Sequence, residues 1–254
     1  MMGDAALEDR ETGSADLPQA GIVLSPRGAP LSRRIPFARQ VADTLRDLIV
    51  RGELPAGSRV VERVLCERLN VSRTPMREAL KLLEADGLIE ISQNRGARVM
   101  SLGAEEARQL FEVIAELEAL AADRAVLSAD ADALAGLEDL HAQMLRHYET
   151  QEKDAYFDIN SRIHEQVVKL SGNPVLMGSH ATLMLRARRG RYVAIFDPAR
   201  WAESVGEHET LMESFRTRDA ARARAVWRQH LCRTGETVAG GLEQAGGPAQ
   251  GAGW

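Results

Sequence analysis

His164, His208 and His230 are the residues of this chain whose types and spacing could do chemistry together. Each falls in a different stretch of helical periodicity, and Asn160 lies four residues before His164, on the same helical face. Three helices can aim their imidazoles at one point. Three imidazoles with one oxygen ligand suit zinc, nickel or another borderline divalent ion. A single helical histidine also serves as an ordinary surface or core side chain, so spacing alone leaves both readings open. His164-Glu165 starts like the H-E-x-x-H of zinc proteases, but the fourth residue after His164 is Val168 and the motif fails. The chain has no G-x-S-x-G, P-loop or dinucleotide glycine fingerprint.

A second constellation runs from Glu62 to Gly96 and has the chemistry of nucleic-acid recognition. Met76, Ala79, Leu80 and Leu83 recur at helical spacing and form an apolar back, while Arg77 and Lys81 lie four apart on the opposite side. Thr74 is the expected N-cap of this helix and Pro75 its first residue. Arg73 stands at the N-terminal lip, and either Arg73 or Arg77 could fork onto a guanine in the major groove. Ser72 and Thr74 could bond phosphates, and Arg63 lies at the start of the preceding helix, beside the DNA backbone. Arg63 and Arg77 could instead form surface ion pairs, with Glu67 or Glu84. Leu88 to Ile91 and Arg98 to Met100 read as a two-stranded ribbon around Gln93-Asn94-Arg95-Gly96. A basic, glycine-containing hairpin of this kind is a wing, with Gly96 supplying positive φ or close approach to DNA.

These residues need two bodies to position them. Hydrophobic residues are 44% and aromatics only 4% of 254 residues, which favours a mainly α fold with a real core. The net charge of −5 is unevenly spread: Arg33 to Met100 carries 13 Lys and Arg against 9 Asp and Glu, leaving the remainder at −9. A basic reader on an acidic body follows. Residues 1–34 are expected to be a disordered arm, 35–102 a winged helix-turn-helix, 103–239 a six-helix antiparallel bundle, and 240–254 a disordered tail. The bundle helices are expected at about 104–127, 129–150, 153–171, 174–192, 200–217 and 220–239. Ser128, Asn173 and Asp219 are their expected caps. Leu110, Val113, Ile114, Leu117 and Leu120 are the expected apolar face of the first. Two distant cysteines imply no disulfide framework, and neither a membrane span nor a signal peptide is evident, so a soluble, cytoplasmic protein is expected.

Val41 to Leu102 resembles the winged-helix domain of the GntR family of bacterial transcription regulators. The resemblance is carried by Gly52, Leu54 and Gly57, by VSRTPMREAL, and by the L-x-x-x-G-L entry to the RGARV wing. It implies operator contacts from Arg63, Ser72, Arg73, Thr74, Arg77 and Gly96. Ala104 to Ala239 resembles the FCD effector domain of the FadR and VanR branches, through LFEVIAELEALAADRA, NSRIHEQVVKLSGNP and EHETLMESFRTRDAARARAVWRQHL. Six helices rather than seven favour the VanR-like branch. The resemblance implies a divalent metal, zinc or nickel, held by Asn160, His164, His208 and His230. Position 160 is Asn here, where Asp is commoner in the family. It also implies a small organic acid effector. Where some relatives place an arginine for it in the first bundle helix, this chain has Ile114 and Ala115. Among Arg186, Arg188, Arg189 and Arg191, Arg186 is the expected anchor.

The leading reading is therefore a homodimeric regulator, a repressor rather than an enzyme, that binds double-stranded operator DNA and answers to an acid. Two rivals remain: a metal-dependent hydrolytic domain localised by the winged helix, and a bundle that only dimerises.

Overall fold

The computed structural model describes residues 36–92 and 96–246. The expected arm at 1–34, the wing tip Gln93-Asn94-Arg95 and the residues from 247 onward lie outside that description.

The reader comprises α1 (Phe37–Val50), β1 (Arg59–Val60), α2 (Glu62–Leu69), α3 (Arg73–Ala85), β2 (Ile89–Ser92) and β3 (Gly96–Val99). Met76, Ala79, Leu80 and Leu83 of α3 are buried against Val41, Leu45 and Leu48 of α1, as the spacing predicts. The wing has three strands rather than two, because β1 pairs antiparallel with β3 in the order β1-β3-β2. Helix α3 starts earlier than expected. Ser72 is its N-cap and Arg73 its first residue, so Thr74 and Pro75 fall inside the first turn. Proline is tolerated there, since first-turn N–H groups have no intrahelical acceptor.

Six helices form the bundle: α4 (Ala104–Ser128), α5 (Ala131–Glu149), α6 (Lys153–Leu170), α7 (Pro174–Ala194), α8 (Pro198–Arg216) and α9 (Ala220–Gln244). Asn173, Asp197 and Asp219 cap α7, α8 and α9 by accepting from first-turn backbone N–H groups. The expected cap at Ser128 is displaced: Ser128 ends α4 and donates to the Leu170 carbonyl, while Asp130 caps α5. Two further expectations fail for one reason, the close packing of α4 on α9. Val113 and Leu120 are 51% and 37% exposed, whereas Ala107, Ala115, Ala119, Ala122 and Ala125 are fully buried. Small side chains let the two backbones approach. The last helix also runs through Gly240 and Gly241 to Gln244 instead of stopping at 239. Leu242 packs on the α4–α9 core and Arg108 of α4 bonds Glu243 at 2.7 Å, which outweighs the weak helix propensity of glycine.

Gly235 marks the closest approach. A Cβ there would lie 2.6 Å from the Phe111 Cβ and 3.1 Å from its Cγ. A clash with a Cβ cannot be relieved by side-chain rotation. Gly235→Ala is therefore expected to cost about 1–3 kcal/mol despite alanine's better helix propensity. At roughly 2–4 °C per kcal/mol for a chain of this size, calorimetry resolves the loss. An unchanged melting temperature would show that α4 and α9 are less tightly packed than described.

Candidate metal centre and nucleic-acid interface

Asn160 and His164 on α6, His208 on α8 and His230 on α9 all point into the bundle and are at most 4% exposed. One nitrogen from each histidine lies within 4.8 Å of the others, with ring centroids 5.1–5.5 Å apart. Asn160 Oδ1, His164 Nε2 and both nitrogens of His208 are buried without a hydrogen-bond partner. Unpartnered buried polar atoms of this kind are costly, and a cation would satisfy the acceptors among them, Asn160 Oδ1, His164 Nε2 and one nitrogen of His208. The donor set of three imidazoles and one amide oxygen fits a borderline divalent ion.

Two carboxylates not anticipated in sequence orient the rings. His164 Nδ1 donates to Glu118 of α4, and His230 Nδ1 donates to Glu207 at 2.7 Å. With Nδ1 protonated, Nε2 carries the lone pair a metal needs. Glu118 also accepts from His180 Nε2 at 2.9 Å, and Glu207 from the buried Arg200 at 2.7 Å. Burial pushes both carboxyls up, but these partners outweigh it: Glu118 falls well below the ordinary carboxylate range and Glu207 to about 2. Burial and the neighbouring Arg191 charge push His164 down to about 3. His208 falls well below its usual value, through burial and the other imidazoles, and His230 falls also, chiefly through burial. At neutral pH the carboxylates are ionised and the imidazoles neutral, the protonation pattern metal binding requires.

The expected anchor Arg186 is not in this chamber. It is exposed on α7 and pairs with Glu106. Arg191, also on α7, takes the interior place: it is 5% exposed, donates weakly to Met184 Sδ at 3.6 Å, and its Nη2 has no partner. Its charge depresses all three imidazoles. Glu165, the carboxylate next to His164 in sequence, is exposed and cannot act as a base there. Sequence offered one faint signal for the missed groups: Glu118 lies four residues after Ile114, on the face that turned inward.

In the reader, Ser72, Arg73, Thr74 and Arg77 are all exposed along the first turns of α3. Arg77 pairs with Glu62 at 3.1 Å and Arg63 with Glu67 at 2.7 Å. Exposed pairs like these contribute only about 0–1 kcal/mol, so either arginine can exchange its partner for a phosphate. Arg73 has no ion pair among the described residues. Gly96 opens β3 at φ +74°, beside the Arg59 side chain.

Reader and bundle touch through α1, α6 and α7. Arg51, the C-cap of α1, bonds Asp158 at 3.0 Å and also Asp154, while Arg189 donates to the Ile49 carbonyl at 2.8 Å. Tyr192 donates to Asp154 at 2.8 Å.

Residues 37–99 match the bacterial regulatory proteins of the gntR family and residues 109–233 match the FCD domain. The chain is 30% identical over 145 residues to the uncharacterized HTH-type transcriptional regulator YdhC of Bacillus subtilis, covering 56% of this chain and 64% of the relative. It is 26% identical over 205 residues to the HTH-type transcriptional repressor RspR of Escherichia coli, covering 80% and 89%. The solved structure of E. coli McbR/YncC shares the fold, with a TM-score of 0.70 at 22% identity over 78% of this chain and 95% of that one. The matched families and these relatives are regulators, not enzymes. None of the helices described is long and apolar enough to cross a membrane.

Proposed function

Since the chain belongs to the GntR family of DNA-binding transcriptional regulators and carries the FCD effector-sensing domain, we propose that it is a homodimeric repressor of the VanR-like branch, released or retained on its operator by a small carboxylate. The observation that carries the acid is Arg191, a buried guanidinium without a carboxylate partner beside three neutral imidazoles. The Glu118 charge acts on Arg191 without bonding it, whereas Glu207 is bonded to Arg200. A divalent ion held by Asn160, His164, His208 and His230 would add two positive charges and open positions for carboxylate oxygens. Arg191 Nη2 would then bond the acid, which relieves its missing partner.

The same two helices supply the route to the reader. Helix α6 carries Asp154 and Asp158 as well as Asn160 and His164, and α7 carries Arg189 and Tyr192 as well as Arg191. An acid that draws α6 and α7 together would move their contacts to Arg51 and Ile49, and with them the recognition helix. Val113, Leu120 and Leu127 form an apolar stripe at a spacing of seven on α4, 37–68% exposed, the kind of face a second copy would cover. The name of RspR supports repression over activation.

Fluorescence anisotropy tests the reading, with the chain's own upstream DNA, nickel-loaded protein and a panel of mono- and dicarboxylates. One acid is expected to change operator affinity by about 5–150-fold, the usual range of allosteric coupling. Arg51→Ala is expected to keep DNA binding and flatten that response. Absence of sequence preference at every salt concentration would sink the proposal.

A further inference from the structure

Trp227 makes no contribution to the donor set, yet it is the group around which the three histidines are arranged. It is fully buried on α9, one turn before His230. Its indole lies flat against His230, at 4.8 Å and 9°, and nearly flat against His164, at 4.5 Å and 29°. It meets His208 edge to face, at 4.8 Å and 78°.

We propose that Trp227 is a positioning residue for the metal chamber, holding the three imidazoles in their ligating arrangement by packing on all of them. The proposal rests on the reading of that chamber as a metal site. His164 and His230 are each tethered at one nitrogen by a carboxylate, which fixes a point on the ring but leaves its plane free to swing about that bond. The flat indole removes that freedom. His208 has no tether on either nitrogen, so packing alone sets its plane, and the indole edge contact is part of that packing. The indole Nε1–H has no acceptor, so the role belongs to the ring and not to a hydrogen bond. A phenyl ring should therefore substitute and a methyl group should not.

Cobalt binding to the full chain tests this. Co(II) is added alone to wild type, Trp227→Phe and Trp227→Ala. Uptake per chain is measured by elemental analysis after dialysis, affinity by titration, and coordination geometry by the visible d–d bands. Wild type is expected to take up about one cobalt per chain. Trp227→Phe should keep the affinity within about threefold and keep the band shape, whereas Trp227→Ala should lose about 10–100-fold, as for other groups outside the ligand sphere, and shift or broaden the bands. Should Trp227→Ala lose its helical circular dichroism, Trp227→Leu, apolar but not planar, carries the same expectation. Wild-type affinity and bands in the non-planar variant would overturn the positioning role alone. A wild type that takes up no cobalt would overturn the metal reading and the role with it.

Discussion

His208→Phe is expected to abolish metal retention while leaving the metal-free protein at least as stable as wild type. Both nitrogens of His208 are buried and unpartnered, and the ring is fully enclosed. Each unsatisfied buried polar group costs about 1–3 kcal/mol in the metal-free state. A ring there without nitrogens removes that cost. The gain reads as roughly 2–4 °C in melting temperature per kcal/mol recovered, less whatever the slightly larger ring costs in fit. Metal binding should move the other way. Loss of a direct ligand should weaken it by more than the roughly 10–100-fold typical of an outer partner, so that dialysed protein retains none. Elemental analysis and calorimetry of metal-free and nickel-loaded samples separate the two effects. A metal-free variant that melts several degrees below wild type would make His208 a structural ring. The position is informative because the isolated fold gains nothing from an imidazole there.

What was legible in the sequence was local. The α3 stripe, the caps at Asn173 and Asp219, and the shared face of Asn160 and His164 each follow from spacing within one helix. Six bundle helices could be counted because proline, glycine and capping residues separate them. What depended on a partner helix was not legible. Leu110, Ile114 and Leu117 of α4 face the core as their spacing predicts, but α9 approaches so closely at Gly235 and Phe111 that alanines take the places expected for Val113 and Leu120. Glu118, four residues after Ile114, shares that inward face, where a charge is tolerated only because His164 and His180 meet it. The choice among the α7 arginines failed for a similar reason. Arg186 and Arg191 are five residues apart, about 140° around the helix, so only packing decides which enters the bundle. Exposed Arg186 found Glu106, and Arg191 was enclosed.

Arg73→Ala should be the most damaging single change in the reader and the least costly to its folding. A basic residue in the first turn opposes the helix dipole, at about 0.3–1 kcal/mol for an exposed site. Arg73 occupies the first position of α3, and no carboxylate among the described residues offsets it. Its removal should leave the melting temperature unchanged or slightly higher. In a groove the same position is an advantage, because the start of a recognition helix reaches the base edges and the dipole favours phosphate. Arg77 and Arg63 must first leave Glu62 and Glu67, whereas Arg73 has no ion pair to break. A bidentate guanine contact is worth about 1–3 kcal/mol of discrimination, present twice in a two-fold complex. Arg73→Ala should thus weaken operator binding by one to several orders of magnitude and leave binding to a scrambled duplex nearly as it was. Arg63→Ala should instead weaken both duplexes alike and lower the salt slope by about one. Anisotropy titrations of the two duplexes across a salt series distinguish these patterns. Equal losses on both duplexes for Arg73→Ala would assign that arginine to the phosphates, and base reading would then pass to Arg77.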